Sequence, residues 1–145
     1  MRLSTRTRYG MRAVLELALA YGGDPLQIKV IAERQKISSK YLEQLIAVLK
    51  AAGVVRSIRG PHGGYLLAKP PQEVTLEEIF RVLEGPVLTV ECVEHTDVCP
   101  SCAECVTRKI WQEMNDAIIG VLANRTLKDL VDLAESDSKN PNYSI

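Results

Sequence analysis

The chain has 145 residues, of which 46% are hydrophobic and 25% charged, the size and composition of one globular domain with room for an appendage. No apolar stretch reaches the ~20 residues that a membrane-spanning helix needs and no secretory signal opens the chain, so we expect a cytoplasmic protein. The net charge is zero, but residues 1–69 contain twelve Lys/Arg and four Asp/Glu, whereas residues 70–145 contain six Lys/Arg and fourteen Asp/Glu. The positive charge of the first half favours a polyanion as its partner.

Three amphipathic helices are predicted before residue 54. Spacings of three and four between apolar residues predict helices over about 9–21 and 27–35. Ser38 or Ser39 can cap a third helix, which Gly53 ends. The stripes expected to be buried in the first and third helices are Val14, Leu17, Ala18 and Tyr21, then Leu42, Leu45, Ile46 and Leu49. Two short helices, the second basic, are typical of a helix–turn–helix.

A β-hairpin is predicted directly after these helices. Residues 54–58 and 65–68 are β-prone, and the residues between them are dense in glycine and other turn formers. A hairpin in this place is a wing. The predicted fold class is therefore mainly α with a small β-hairpin, and residues 1–70 form a winged helix–turn–helix DNA-binding region.

The acidic half predicts three further helices. Thr75 and Glu78 form a T-x-x-E capping box for a short helix within the connecting region 71–91. A long helix follows over about 104–122, and Thr126 with Asp129 suggests a cap for a last short helix ending near 134. The polar residues 135–145 predict disorder. The stripe of the long helix is Val106, Ile110, Trp111, Met114, Ile118 and Val121, wider than one short domain covers, so we expect a homodimer that binds two half-sites.

Outward residues of the third helix are candidates for contacts with base edges. Lys40 can donate to guanine, Gln44 can pair with adenine, and Glu43 can accept from the cytosine amino group. Because a carboxylate repels phosphate, Glu43 either discriminates between sequences or is an ordinary solvated residue. Ser39 lies beside them on the first turn.

The wing and the chain start supply the remaining DNA-binding candidates. Arg59, at the base of a glycine-rich tip, is expected to enter a minor groove. His62 is either a second contact or an exposed turn residue. Arg2 and Lys50 are expected to contact phosphates, which gives affinity without sequence information.

All four cysteines lie in residues 92–105 (the cysteine segment) with the spacing C-x6-C-x2-C-x2-C. Structural zinc, an iron–sulfur cluster, a thiol redox pair and disulfides are the competing explanations. Reducing conditions in the cytosol disfavour disulfides, and zinc favours two separated C-x2-C pairs. The continuous run of Cys99, Cys102 and Cys105 is similar to ferredoxin ligation. A cluster is therefore favoured, with zinc left open.

The stretches "MRLSTRTRYGMRAVLELA" and "YLEQLIAVLKAAGVVRSIRGPHGGYLLAKP", with the cysteine segment ahead of "TRKIW", resemble the Rrf2 family of bacterial transcription regulators, most of all its iron–sulfur cluster-sensing members. The resemblance implies a winged helix–turn–helix dimer whose dimerisation helix follows a cluster-binding loop, and in which the residue at Glu43 helps to distinguish two operator classes. It assigns ligation to Cys92, Cys99 and Cys105, recognition to Lys40, Tyr41, Glu43 and Gln44, and the wing contact to Arg59.

Two positions depart from the family pattern. Cluster-sensing members carry a histidine ligand three residues beyond the last cysteine, where this chain has Arg108, and nitric-oxide-sensing relatives can use an aspartate where it has Arg8. Cys102 is then the best fourth ligand and His95 the second. An all-cysteine set suits either a [2Fe–2S] or a [4Fe–4S] cluster.

The expected function is a cluster-sensing repressor of cluster-biogenesis genes, with operator choice set by cluster occupancy. The alternatives are a redox or nitric-oxide sensor controlling stress genes, and a zinc-stapled DNA-binding protein without sensing. An enzyme is not expected, because the chain has only two histidines and no nucleotide-binding loop.

Overall fold

The computed structural model of the protein describes residues 2–87 and 89–139. Within that part of the chain, six α-helices and one antiparallel hairpin follow each other, which confirms the predicted fold class. The helices are α1 (Thr5–Leu19), α2 (Ile28–Gln35), α3 (Ser39–Ala51), α4 (Leu76–Glu84), α5 (Val106–Ala123) and α6 (Leu127–Ser138), and the strands are β1 (Val55–Ile58) and β2 (Gly64–Leu67). None of these helices is long and apolar enough to cross a membrane.

The start of α1 lies four residues before the predicted one because Ser4 caps it. The Ser4 hydroxyl accepts a hydrogen bond from the Thr7 amide at 3.1 Å, which satisfies one of the free donors of the first turn. The helix ends at Leu19, so Tyr21 lies beyond it and is 47% exposed. The prediction that Tyr21 continues the buried stripe is therefore wrong, whereas Val14, Leu17 and Ala18 are buried as predicted.

The hairpin is a wing anchored to the loop before α2. Val55 pairs with Leu67 and Ile58 with Gly64. Outside the hairpin, the Leu26 amide donates to the Tyr65 carbonyl at 3.0 Å, and the Tyr65 amide donates back to Leu26 at 2.8 Å. These two bonds hold β2 against the helix–turn–helix.

One hydrophobic core joins the first 70 residues to α4 and α6. Side chains with almost no exposure come from α1 to α4, the wing and α6, and they include Val14, Ile31, Leu42, Leu49, Val54, Ile79 and Leu127. Backbone bonds join the lead-ins of α4 and α6: the Leu76 amide donates to Arg125 and the Leu127 amide to Val74, both at 2.9 Å. The chain thus leaves the core along α5 and returns to it through α6.

The capping box predicted for α4 and the cap predicted for α6 differ in the structure. Thr126 and Asp129 form the reciprocal pair. Thr75 caps α4 by accepting from the Glu78 amide at 3.2 Å, but the Glu78 carboxylate binds Lys69 at 3.0 Å instead of reaching back. The box at α4 is therefore only half formed. Helix α6 continues to Ser138, inside the stretch 135–145 for which disorder was predicted, and residues 140–145 lie outside the described part of the chain.

Candidate DNA-binding surface and cysteine segment

Helix α3 presents a polar face because its apolar face is fixed in the core. Leu42, Leu45, Ile46 and Leu49 are all buried, as predicted. Ser38 starts the helix by accepting from the Tyr41 amide at 3.1 Å. The opposite face leaves Lys40, Glu43, Gln44 and Lys50 exposed, with Ser39 half-buried. These side chains are free to meet a ligand without unpacking the core.

Tyr41 differs from its neighbours on α3 because it packs against α1. Its ring meets the ring of Tyr9 edge to face, with centroids 6.3 Å apart, and the Arg12 guanidinium lies 5.3 Å from the centre of the Tyr9 ring. Such contacts each contribute roughly 0.5–1.5 kcal/mol. They join the start of α3 to the arginine-rich face of α1, a link that the sequence did not indicate.

The wing tip carries Arg59 and His62, both exposed. Its shape requires glycine at Gly63 and Gly64. A Cβ on Gly63 would lie 2.1 Å from the Ile58 carbonyl oxygen, and one on Gly64 would lie 2.4 Å from that of Leu26. Gly64 also has a φ of +155°, which side chains with a Cβ rarely adopt. Arg2 is exposed just before α1, in the same basic half of the chain.

The cysteine segment connects the winged unit to α5. Cys92 lies in a single 3₁₀ turn, Glu91–Val93, and Cys105 is the N-cap of α5. Between them the chain makes turns in which the Cys102 amide donates to Cys99 at 3.2 Å and the Glu104 amide to Ser101 at 3.1 Å. All four thiols are free: Cys99 is exposed, Cys92 and Cys105 are half-buried, and Cys102 is only 7% exposed.

The pKa values of two of the thiols are shifted in opposite directions. A hydrogen bond with the Thr107 hydroxyl at 3.2 Å, assisted by backbone amides of the first turn of α5, lowers the pKa of Cys105. Burial raises the pKa of Cys102, and the neighbouring Cys92 and Cys99 thiols raise it further. Because the thiolate is both the nucleophile and the metal ligand, Cys105 is the more readily activated of the two.

Arg108 joins the two ends of the cysteine segment. Its Nε donates to the Cys92 carbonyl at 2.8 Å, and one terminal nitrogen donates to the Val93 carbonyl at 3.0 Å. A guanidinium has no lone pair for a metal, so this position cannot supply the ligand found there in cluster-sensing members. The sequence showed the departure at 108 but not this contact.

The cysteine segment has the donor chemistry of an iron–sulfur or zinc site without a closed ligand shell. Thiolates are ligands for both, and Cys102 lies near enough to Cys92 and Cys99 for their charges to interact. Over residues 2–87 and 89–139, however, no three His, Cys, Asp or Glu side chains are placed to hold one metal ion. His95, the other candidate, is exposed. Ligation by all four cysteines requires the turns between 94 and 104 to rearrange, and the four-cysteine site stays a prediction.

Helix α5 exposes much of its apolar stripe. Val106, Ile110, Met114 and Val121 are 73%, 52%, 47% and 59% exposed, while Trp111 and Ile118 are half-buried. Asn115, on the covered side, accepts a hydrogen bond from the Thr89 amide at 3.3 Å. The outer side of α5 is thus an apolar surface that its own protomer does not cover.

The family model and the relatives that match this chain belong to the same family. Residues 3–133 match the Rrf2 family model, described as an iron-dependent transcriptional regulator. The Rrf2 protein of Nitratidesulfovibrio vulgaris is 44% identical over 140 residues, covering 97% of this chain and 93% of its own.

Two solved structures are similar to this one. The structure of CymR (YrzC), the global cysteine regulator of Bacillus subtilis, is 40% identical with a TM-score of 0.80, covering 92% of this chain and 98% of its own. IscR of T. potens is also 40% identical, with a TM-score of 0.77 and coverages of 94% and 90%. Regulators of transcription, rather than enzymes, therefore share the sequence and fold of this chain.

Proposed function

This chain belongs to the Rrf2 family of transcription regulators, and we propose that it is a homodimer whose affinity for operator DNA depends on an iron–sulfur cluster held by the cysteine segment. One observation carries the proposal: all four thiols lie on the stretch that joins the winged unit to the exposed helix α5. A group bound across Cys92 and Cys105 would set the orientation of the winged unit relative to α5.

We assign DNA contacts to the exposed residues of α3, the wing and the chain start. Lys40, Glu43 and Gln44 contact base edges, supported by their exposure on the first two turns of α3. Ser39 and Tyr41 are further DNA contacts on the same turns, and Tyr41 also fixes α3 against α1. The remaining assignments are a minor-groove contact for Arg59, a wing-tip contact for His62, and phosphate contacts for Lys50 and Arg2.

The dimer is formed by α5. Four large apolar side chains on one side of a helix are costly to leave in water, at roughly 25 cal/mol per Å² of apolar surface. A second copy of the same helix covers them and places two α3 helices for two half-sites. The protein acts in the cytoplasm, where its thiols are reduced.

Cys92, Cys99, Cys105 and Cys102 are the proposed cluster ligands, with His95 as the alternative to Cys102. A [2Fe–2S] or [4Fe–4S] cluster would supply metal–thiolate bonds whose formation depends on iron and on oxidants. Ligation would draw residues 94–104 around the cluster and shift α5 relative to α3. Coupling between two sites is typically ~1–3 kcal/mol, about 5- to 150-fold in affinity. Cluster-biogenesis genes are the proposed targets, with repression as the outcome.

The test compares cluster-loaded and metal-free protein on promoter DNA from cluster-biogenesis genes after anaerobic purification. We expect a brown protein whose operator affinity differs at least fivefold between the two forms. Cys99→Ser should lose iron and this difference but keep the metal-free affinity, whereas Ser101→Ala, an exposed position of the same turn, should behave as wild type. Equal affinity of both forms on every operator would refute sensing and leave DNA binding intact.

Regulation by the thiols alone is the second candidate function, supported by the contrast between Cys105 and Cys102. The similarity to CymR, named as a cysteine regulator, points in the same direction. Here a two-electron oxidant would join two of the thiols in a disulfide, with release of two protons, and change operator affinity without iron. Iron-free protein that responds to oxidant supports this function, whereas colourless protein with one zinc per chain supports a structural staple.

A further inference from the structure

Arg108 is the only residue of α5 whose side chain is hydrogen-bonded to the cysteine segment's far end, among the residues that the structure describes. Its guanidinium reaches back sixteen residues to the Cys92 carbonyl and fifteen to that of Val93. The side chain is half-buried, which strengthens both charge-assisted bonds relative to bonds in water. The two bonds tie the turn at Cys92 to the first turn of α5, which Cys105 caps.

We propose that Arg108 is a positioning residue that keeps the two ends of the cysteine segment together in metal-free protein and places a fixed positive charge beside the thiols. The second half of this inference rests on the proposed cluster function, whereas the first half does not. Cluster-sensing members have a histidine ligand where this chain has Arg108. Here hydrogen bonds from Arg108, rather than coordination by a histidine, would hold the two ends of the cysteine segment together.

The hydrogen bonds themselves place the positive charge of Arg108 at the Cys92 end of the segment. Arg108 lies in the first turn of α5, and Cys105 at the other end of the segment is the N-cap of that helix. The guanidinium therefore lies between the two ends of the segment. Four thiolates around a cluster would carry a negative excess that this charge partly offsets.

One consequence concerns where a signal can act. If Arg108 holds residues 92 and 93 against α5 with or without metal, loss of a cluster does not detach α5 from the turn at Glu91–Val93. The change must then begin in the turns between 94 and 104, which contain Cys99 and Cys102. The turn at Cys92 and the start of α5 then move together as one unit relative to α3, and residues 94–104 are the part that rearranges.

The experiment measures hydrogen exchange of metal-free protein in peptides covering residues 89–108. Arg108→Lys keeps the charge but cannot bind both carbonyl groups with one planar fork, and Arg108→Gln loses the charge as well. In both variants we expect amides of the segment to exchange roughly tenfold faster, as when one charge-assisted hydrogen bond is lost. Lys109→Gln, which removes the exposed charge next along α5, should exchange as wild type.

Peptides from α3 report whether a variant is folded, because they should keep wild-type protection. If Arg108→Gln also loses protection in the α3 peptides, it is not folded, and the positioning role is then judged from Arg108→Lys. Wild-type exchange of the segment in both variants overturns the positioning role.

The reduction potential of iron-loaded protein tests the charge. Reduction adds a negative charge, so we expect a more negative potential for Arg108→Gln and a potential near wild type for Arg108→Lys. An unchanged potential in Arg108→Gln overturns the electrostatic role. If no form of the protein takes up iron, the proposed cluster function fails, while the exchange result still decides whether Arg108 positions the segment.

Discussion

Glu84 shows how one carboxylate can join distant parts of the chain. It is the last residue of α4, and it accepts hydrogen bonds from the Ser4 amide at 3.3 Å, the Ser4 hydroxyl at 2.7 Å and the Thr7 hydroxyl. Ser4 is the N-cap of α1, the helix that follows Arg2, and Thr7 lies in the first turn of that helix. The hydrogen bond from Thr7, followed by that from Ser4, lowers the pKa of Glu84. The residue therefore links the start of α1 to the chain that leads into the cysteine segment.

Replacing Glu84 by Gln should destabilise the protein by about 1 kcal/mol at pH 7, because an amide accepts these bonds less strongly than a carboxylate. A carboxylate with a lowered pKa stabilises the fold above its ordinary pKa of about 4.5, and this contribution is lost as the pH falls through its folded-state value. The difference between wild type and variant should therefore shrink in acid. Urea unfolding from pH 7 to pH 3.5 measures both effects.

Glu73→Gln is the matched control for Glu84→Gln, because it also replaces a carboxylate by an amide, and Glu73 is exposed. It should change stability by less than about 0.5 kcal/mol. A difference between Glu84→Gln and wild type that stays constant down to pH 3.5 would contradict the role given to the ionised carboxylate.

At the scale of elements, local signals predicted where helices form better than where they end. The α3 stripe and the wing were predicted nearly to the residue, because helical periodicity, a serine cap and glycine turns are all local. Helix α1 starts earlier and α6 ends later than predicted. The Ser4 cap accounts for the early start of α1, whereas residues 135–138 at the end of α6 are exposed and extend the helix without burial.

The wing gives a prediction that depends on one glycine. Gly64→Ala should destabilise the protein by roughly 1–3 kcal/mol, because the new Cβ meets the Leu26 carbonyl at a φ of +155°. It should also weaken operator binding by displacing Arg59. Thermal unfolding and operator titration provide the measurements.

Gly120→Ala is expected to have the opposite effect on stability. Gly120 is in α5 with open space where a Cβ would be, so alanine there should stabilise the helix by about 0.5–1 kcal/mol. Equal effects of the two substitutions on stability would show that the clash at the wing does not constrain the fold.

At the scale of the whole molecule, charge and apolar surface divide the protein into two parts. The positively charged half contains α1 to α3 and the wing, and the negatively charged half contains α4 to α6. The apolar side of α5 lies in the acidic half of the chain, whereas the residues assigned to DNA lie in the basic half. In the proposed function, the basic half binds the polyanion and the acidic half binds a second copy.

Ile110→Glu should convert the dimer to monomers, raising the dissociation constant roughly 100-fold, because a central apolar contact is replaced by a charge that the interface cannot solvate. Lys109→Glu introduces the same residue one position earlier, off the exposed stripe, and should leave the dimer intact. Sedimentation velocity over a concentration series measures the change. A protein that stays dimeric with Ile110→Glu would place the dimer contact elsewhere.

The sequence by itself determined the helix–turn–helix, the wing, the α5 stripe and the place of the four cysteines, because these depend on periodicity, caps, turn residues and spacing within short stretches. Only the tertiary structure decided that Tyr41 packs on Tyr9, that Glu84 accepts from the cap of α1, and that Arg108 binds the Cys92 turn. Each of these contacts joins residues from 15 to 80 positions apart. A hydrogen bond or ring contact between such residues depends on how the elements are packed, which no local pattern specifies.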